Sequence, residues 1–185
     1  MSAAARLDCV RLTRIDAAGR LIDAAIEMFF FDGDPIAIHT IAAASHDIVR
    51  ALAKRRGVTG LSLGANLIER EFHKQWNDLT RSDTNPLKHV DGDPNDDVEV
   101  DLELTEALLM FALRGLRRMG HTCNGLQAAY WTWFCLHHPA ATTIDMYSLK
   151  LPPETVAALR AMPKGDFVRK FQEAHRLERT VKSKA

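Results

Sequence analysis

The stretch "FDGDPIAIHTIAAASHDIVRAL", residues 31–52, decides the fold. Gly33 ends any helix that precedes it, Asp34 offers a side-chain cap, and Pro35 suits the first helical position. Beyond that punctuation Ile38, Ile41, Ile48 and Leu52 recur at helical intervals as one apolar stripe. His39, Ala42, His46, Val49 and Ala53 form a second stripe beside it. The pattern predicts a helix from Pro35 to about Arg56, closed by Gly57. Upstream, Leu12, Ile15, Ile22, Ile26, Phe29 and Phe30 trace another apolar face. Thr13 can cap it with Asp16 in its first turn, although Gly19 weakens the early part and allows a start nearer Arg20. So short a break between two apolar-faced helices predicts an antiparallel hairpin.

The remaining segments follow the same logic. After glycines at 57, 60 and 64, Asn66 can cap a helix carrying Leu67, Ile68, Phe72, Trp76 and Leu79. "RSDTNPLKHVDGDPNDDVEVDLE" is then irregular, with eight carboxylates and no Lys or Arg between Asp91 and Leu113. Val98, Val100, Leu102 and Leu104 alternate with acidic residues at strand period, but no partner strand is evident, so an extended acidic loop is expected. A helix over about 105–119 is expected next, capped by Thr105, closed by Gly120, with Arg114, Arg117 and Arg118 suiting the negative end of its dipole. Another runs from about Leu126 to His138 and stops before Pro139. A short helix follows "LPPE", and Asp166 can cap a last one to about Arg179. The reading is an all-α, single-domain bundle spanning 1–185, of five to six helices, with the acidic loop between the third and fourth.

Composition narrows the function classes. The chain has 185 residues, 46% of them hydrophobic, enough for a core of its own. Lys and Arg number 24 against 24 Asp and Glu, so no global field recruits a polyanion. Three widely spaced cysteines suit free thiols in a reducing compartment. The start "MSAAARLDCVRLTR" carries no apolar leader, and "AAYWTWFCL" falls short of the roughly 18 residues of a membrane span. A cytoplasmic protein with no membrane partner is expected.

Several polar residues are candidates for chemistry. His39 and His46 stand about two helical turns, or roughly 10.5 Å, apart along their axis, too far to share one ion. No metal and no cofactor are therefore assigned. The His46–Asp47 doublet resembles that of the HD-type phosphohydrolases, but the flanking ligands of that pattern find no counterpart at suitable spacing. In the loop, Asn85, Lys88 and His89 are the catalytic candidates: an amide, a cation for an anionic group, and a general acid or base near neutral pH. Asp91 joins His39 and His46 as a candidate binding residue. Asp91, Asp93, Asn95 and Asp97 alternate as in a calcium loop, yet the sixth and twelfth positions hold Asp96 and Leu102 in place of Gly and Glu. The aromatic run Tyr130, Trp131, Trp133 and Phe134 splits around its helix and reads mostly as core, with His137 and His138 structural. His39, near its helix start, is expected to be neutral and to face "NPLKH", and His46 to be a buried, hydrogen-bonded ring.

Two resemblances add to this. "GDPIAIHTIAAASHDIVRAL" followed by "NPLKHVDGDP" resembles an uncharacterised prokaryotic helical family with an "IHT-x-A-x-A-A" helix and an "N-x-x-K-H" loop. Here the helix reads "IHTIAAAS", and the likeness spans about residues 22–115. More distantly, "GDPIAIH" opening an alanine-rich second helix is similar to HEPN domains, which implies a dimeric α-bundle in nucleic-acid metabolism or defence. The nucleolytic members resemble one another in an Arg-x(4–6)-His motif, and here Thr84 stands where the arginine would precede Asn85 and His89.

Three functional expectations follow. The first is a HEPN-like role, with nucleic acid as a possible partner and a homodimer as the assembly. The second is a small-molecule or metal-binding bundle using His39, His46 and His89. The third is a non-catalytic dimeric interaction protein.

Overall fold

The computed structural model describes residues 9–58, 95, 97, 99–139 and 151–182. Among these there are six helices and no strand: α1 (Arg14–Phe30), α2 (Pro35–Arg55), α3 (Leu102–Arg118), α4 (Gly125–His137), α5 (Pro153–Arg160) and α6 (Lys164–Lys182). The protein is an all-α helical bundle. The helix expected over about 66–79 and the loop carrying Asn85, Lys88, His89 and Asp91 lie outside the described residues.

The hairpin forms where its punctuation places it. Thr13 caps α1 by accepting from the Asp16 amide, and Asp34 caps α2 by accepting from Ala37, with Pro35 in the first turn. Asp32 adopts a left-handed φ of 53°. At Gly33 a Cβ would lie 2.8 Å from Met28 Cβ, so the reversal admits no side chain there. Gly57, at φ 64°, follows α2 as a left-handed residue. Gly19 does not delay α1. It is buried inside the helix, facing Leu116 and His121.

α3 begins earlier than expected. Asp101, not Thr105, is its cap, its carboxylate accepting from the Leu104 amide at 3.0 Å. The strand-like alternation from Val98 to Leu104 hid this start, because Leu102 and Leu104 already belong to the first helical turn. Asn124 and Gln127 form a reciprocal capping box that starts α4 at Gly125. Asp166 lies within the first turn of α6, whose start is set by the turn after Pro163.

Side-chain contacts give the topology. His39 meets Thr105 near the starts of α2 and α3, and Arg56 reaches the Met119 carbonyl at their ends, so these two helices are parallel. α4 returns antiparallel to α3, with Tyr130 donating to the Glu106 carbonyl at 2.8 Å and His138 beside the Glu106 side chain. Asp23 of α1 accepts from Asn124 and Gln127, while Phe29 meets Trp133, so α1 and α4 are parallel. α6 packs back along α4 and α1 through Phe167 on Phe30 and His175 beside Gly125.

The core is one cluster. It joins Ile22, Ile26, Phe29 and Phe30 of α1, the inner stripe of α2, Leu108 to Leu116 of α3, and Tyr130, Trp133 and Phe134 of α4. Most of the aromatic run is core as expected, with Tyr130 fully buried and its ring edge-on to Phe29, while Trp131 is only partly buried. The alanine face of α2 is likewise buried, Ala42 and Ala43 at 0% exposure.

Candidate functional site

Both α2 histidines are buried polar residues in this core, His39 at 1% and His46 at 2% exposure. Their environments differ. The Thr105 hydroxyl lies 2.7 Å from His39 Nδ1 and 2.8 Å from the Asp101 carbonyl. A threonine hydroxyl has one proton, and the carbonyl can only accept, so that proton goes to Asp101. His39 must then donate from Nδ1 to the Thr105 oxygen. His39 is thus oriented by α3, through a threonine that the sequence presented as a cap.

His46 has no such support. Neither ring nitrogen finds a hydrogen-bond partner among the described residues. This corrects the expectation of a hydrogen-bonded ring. The Asp47 carboxylate lies 3.9 Å from Nδ1. Burial drives the His46 pKa down from 6.5 to about 4; Asp47 opposes the shift and Arg50 adds to it. The ring is therefore neutral at pH 7, with one N–H and one lone pair unused. The physical reason for the missed expectation is local: helical spacing places the ring inside, but nothing in one segment supplies its partner.

A second polar group gathers where the hairpin turn meets the starts of α3 and α6. Glu106 accepts from His138 Nε2 at 2.7 Å, so His138 is a hydrogen-bond partner as well as a helix-end residue. Lys164 places its ammonium 3.6 Å from the centre of the Phe29 ring and 5.4 Å from that of Trp133. Burial lowers the Lys164 pKa, while Glu106 and Asp32 pull it back up. Between them lies a cleft of about 120 Å³ bounded by Asp32, Pro35, Leu102, Thr105 and Glu106. Thr105 joins this cleft to the buried His39. Glu106, His138 and Lys164 are distant in sequence, and no spacing rule would have gathered them.

The opposite end of the bundle is basic. Arg56, Arg117 and Arg118 stand exposed there, Arg117 lying over Trp131 at 4.5 Å. Arg114 is half-buried, and burial together with Arg118 lowers its pKa. The negative ends of α2 and α3 both point this way, which favours cations at these positions.

Of the residues singled out from sequence, the structure describes His39 and His46 and sets them on one buried stripe. Asn85, Lys88, His89 and Asp91 are outside the described residues, and with them the expected contact of His39 with "NPLKH". Among the described residues, no group of three or more His, Cys, Asp or Glu side chains is placed to hold a metal ion. No described helix is long and apolar enough to cross a membrane. No family model, curated protein or solved structure matches the chain.

Proposed function

We propose that the protein is a small-molecule-binding helical bundle whose site is built on the inner stripe of α2. His46 meets the ligand through its unused nitrogens, on the same stripe as His39, which Thr105 holds in place. The observation that carries this reading is the His46 ring, with both nitrogens buried and unpartnered among the described residues. Leaving a buried polar group unmatched costs about 1–3 kcal/mol, and such groups are rare enough in folded proteins to call for a role. Asn85, Lys88, His89 and Asp91 enter on chemistry alone: an amide, an ammonium, an imidazole and a carboxylate suit a polar ligand carrying an anionic group.

A thermal-shift screen of small metabolites and divalent metal ions against the wild type and His46→Leu tests this. A ligand that raises the midpoint of the wild type and not of His46→Leu supports it. Equal responses in both chains count against it.

A second reading, the HEPN-like one, has its own supporting observation in the basic end formed by Arg56, Arg114, Arg117 and Arg118. On this reading the protein is a cytoplasmic homodimer that engages nucleic acid through that end. Single-stranded RNA binding followed by anisotropy, with a salt dependence that weakens in Arg117→Glu/Arg118→Glu, would support it. Salt-independent binding, or none, would count against it. The dimer interface would draw on the exposed apolar residues Phe31, Ile36 and Leu102, because most of the aromatic residues of α4 are buried within the chain.

A further inference from the structure

Toward the end of the α1–α2 pair away from the Asp34 turn, a groove of about 310 Å³ opens between the two helices. Its floor and walls are Ala17, Ile48, Ala51 and Leu52, and its rim carries Arg14 and Arg55. The cause is local. Ala17 and Ala51 are small where the antiparallel helices run side by side, so the flanking Ile48 and Leu52 stand proud of a gap.

The rim is charged for a related reason. Arg14 is the first residue of α1 and Arg55 the last of α2, and antiparallel packing brings both to one mouth. Arg50 and Arg169 each hold a carboxylate, Asp47 and Asp166. Among the described residues, no carboxylate or carbonyl partner is found for Arg14 or Arg55. Two uncompensated guanidinium groups above an apolar floor make a surface with complementary demands at its two levels.

We propose that this groove binds a small anionic amphiphile from solution. Its apolar chain lies on Ala17, Ile48, Ala51 and Leu52, and its carboxylate or phosphate head sits between Arg14 and Arg55. A volume of this size takes a molecule on the order of ten heavy atoms. An inorganic anion would leave the floor wet, and a neutral alcohol would leave the guanidinium groups unmatched. The inference is independent of the His46 site.

The test is calorimetric titration of the full chain with octanoate, using octanol and octyltrimethylammonium as controls. Octanoate is expected to bind saturably at one site, about tenfold tighter than octanol. Arg14→Gln/Arg55→Gln should reduce octanoate to the level of octanol. Ala51→Trp should fill the groove and abolish binding, and because Ala51 is exposed the fold should survive. Octanoate added to vesicles of anionic phospholipid should still titrate the site, since the ligand is a free solute. Equal binding of octanoate and octyltrimethylammonium, unchanged binding in Ala51→Trp, or no saturable heat with octanoate would overturn the proposal. Binding to the vesicles that displaces octanoate would likewise overturn it, by making a membrane the occupant.

Discussion

His39 Nδ1 lies 2.7 Å from Thr105 Oγ1, across the parallel pair α2 and α3. The bond joins residues 66 apart in sequence and sits wholly inside the protein. It links the helix that carries both candidate histidines to the helix that borders the Glu106–Lys164 cleft.

Thr105→Val keeps the shape and removes the hydroxyl, leaving His39 Nδ1–H buried without this acceptor. Chemical denaturation should register a loss of about 1–3 kcal/mol, with Thr105→Ser retaining most of the stability. A valine variant as stable as the wild type would show that the hydroxyl does not hold the ring.

Two glycines should respond in opposite directions to alanine. Gly33→Ala pushes a methyl group to within 2.8 Å of Met28 Cβ and 3.1 Å of its backbone, so the hairpin must shift and the melting midpoint should fall. Gly19→Ala meets only ordinary contacts, at 3.7 Å from His121 and 3.9 Å from Leu116. Relief of glycine's backbone entropy should then raise stability by about 0.5–1 kcal/mol. If Gly33→Ala melted at the wild-type midpoint, the tight reversal would be wrong.

How far these features could be read from sequence depends on the range of the interaction. Thr13, Asp34, Pro35 and Gly57 act within a turn of chain, and their reading holds. Asp101 was obscured because Val98 to Leu104 alternate like a strand, while Thr105 imitated a cap and instead turns inward to His39. Gln127 does not read as half of a capping box, because its partner Asn124 lies upstream of the apolar period that begins at Leu126. The contacts of Glu106 with His138 and Lys164 join separate helices, and no local period encodes them. The empty hydrogen-bonding state of His46 is likewise a property of its surroundings, not of its own segment.

The His46 ring makes acid stability predictable. Burial holds its folded pKa at about 4, below the ordinary 6.5 of an exposed histidine, so the unfolded chain takes up a proton first as pH falls. Its contribution is fully present above pH 6.5 and is lost progressively down to about pH 4. The fall from 6.5 to about 4 corresponds to about 3 kcal/mol. Unfolding free energies between pH 7 and pH 4 should decline less in His46→Leu than in the wild type. Identical slopes would mean that His46 titrates normally.

The most direct measurement is the unfolding free energy of His46→Leu against the wild type at pH 7, with no ligand added. A leucine of similar size removes two unmatched polar atoms and adds apolar contact, so the account predicts a variant at least as stable, by about 0–2 kcal/mol. A loss of more than about 1 kcal/mol would mean that the imidazole is satisfied within the fold, and the claim that His46 is kept for a ligand would fail.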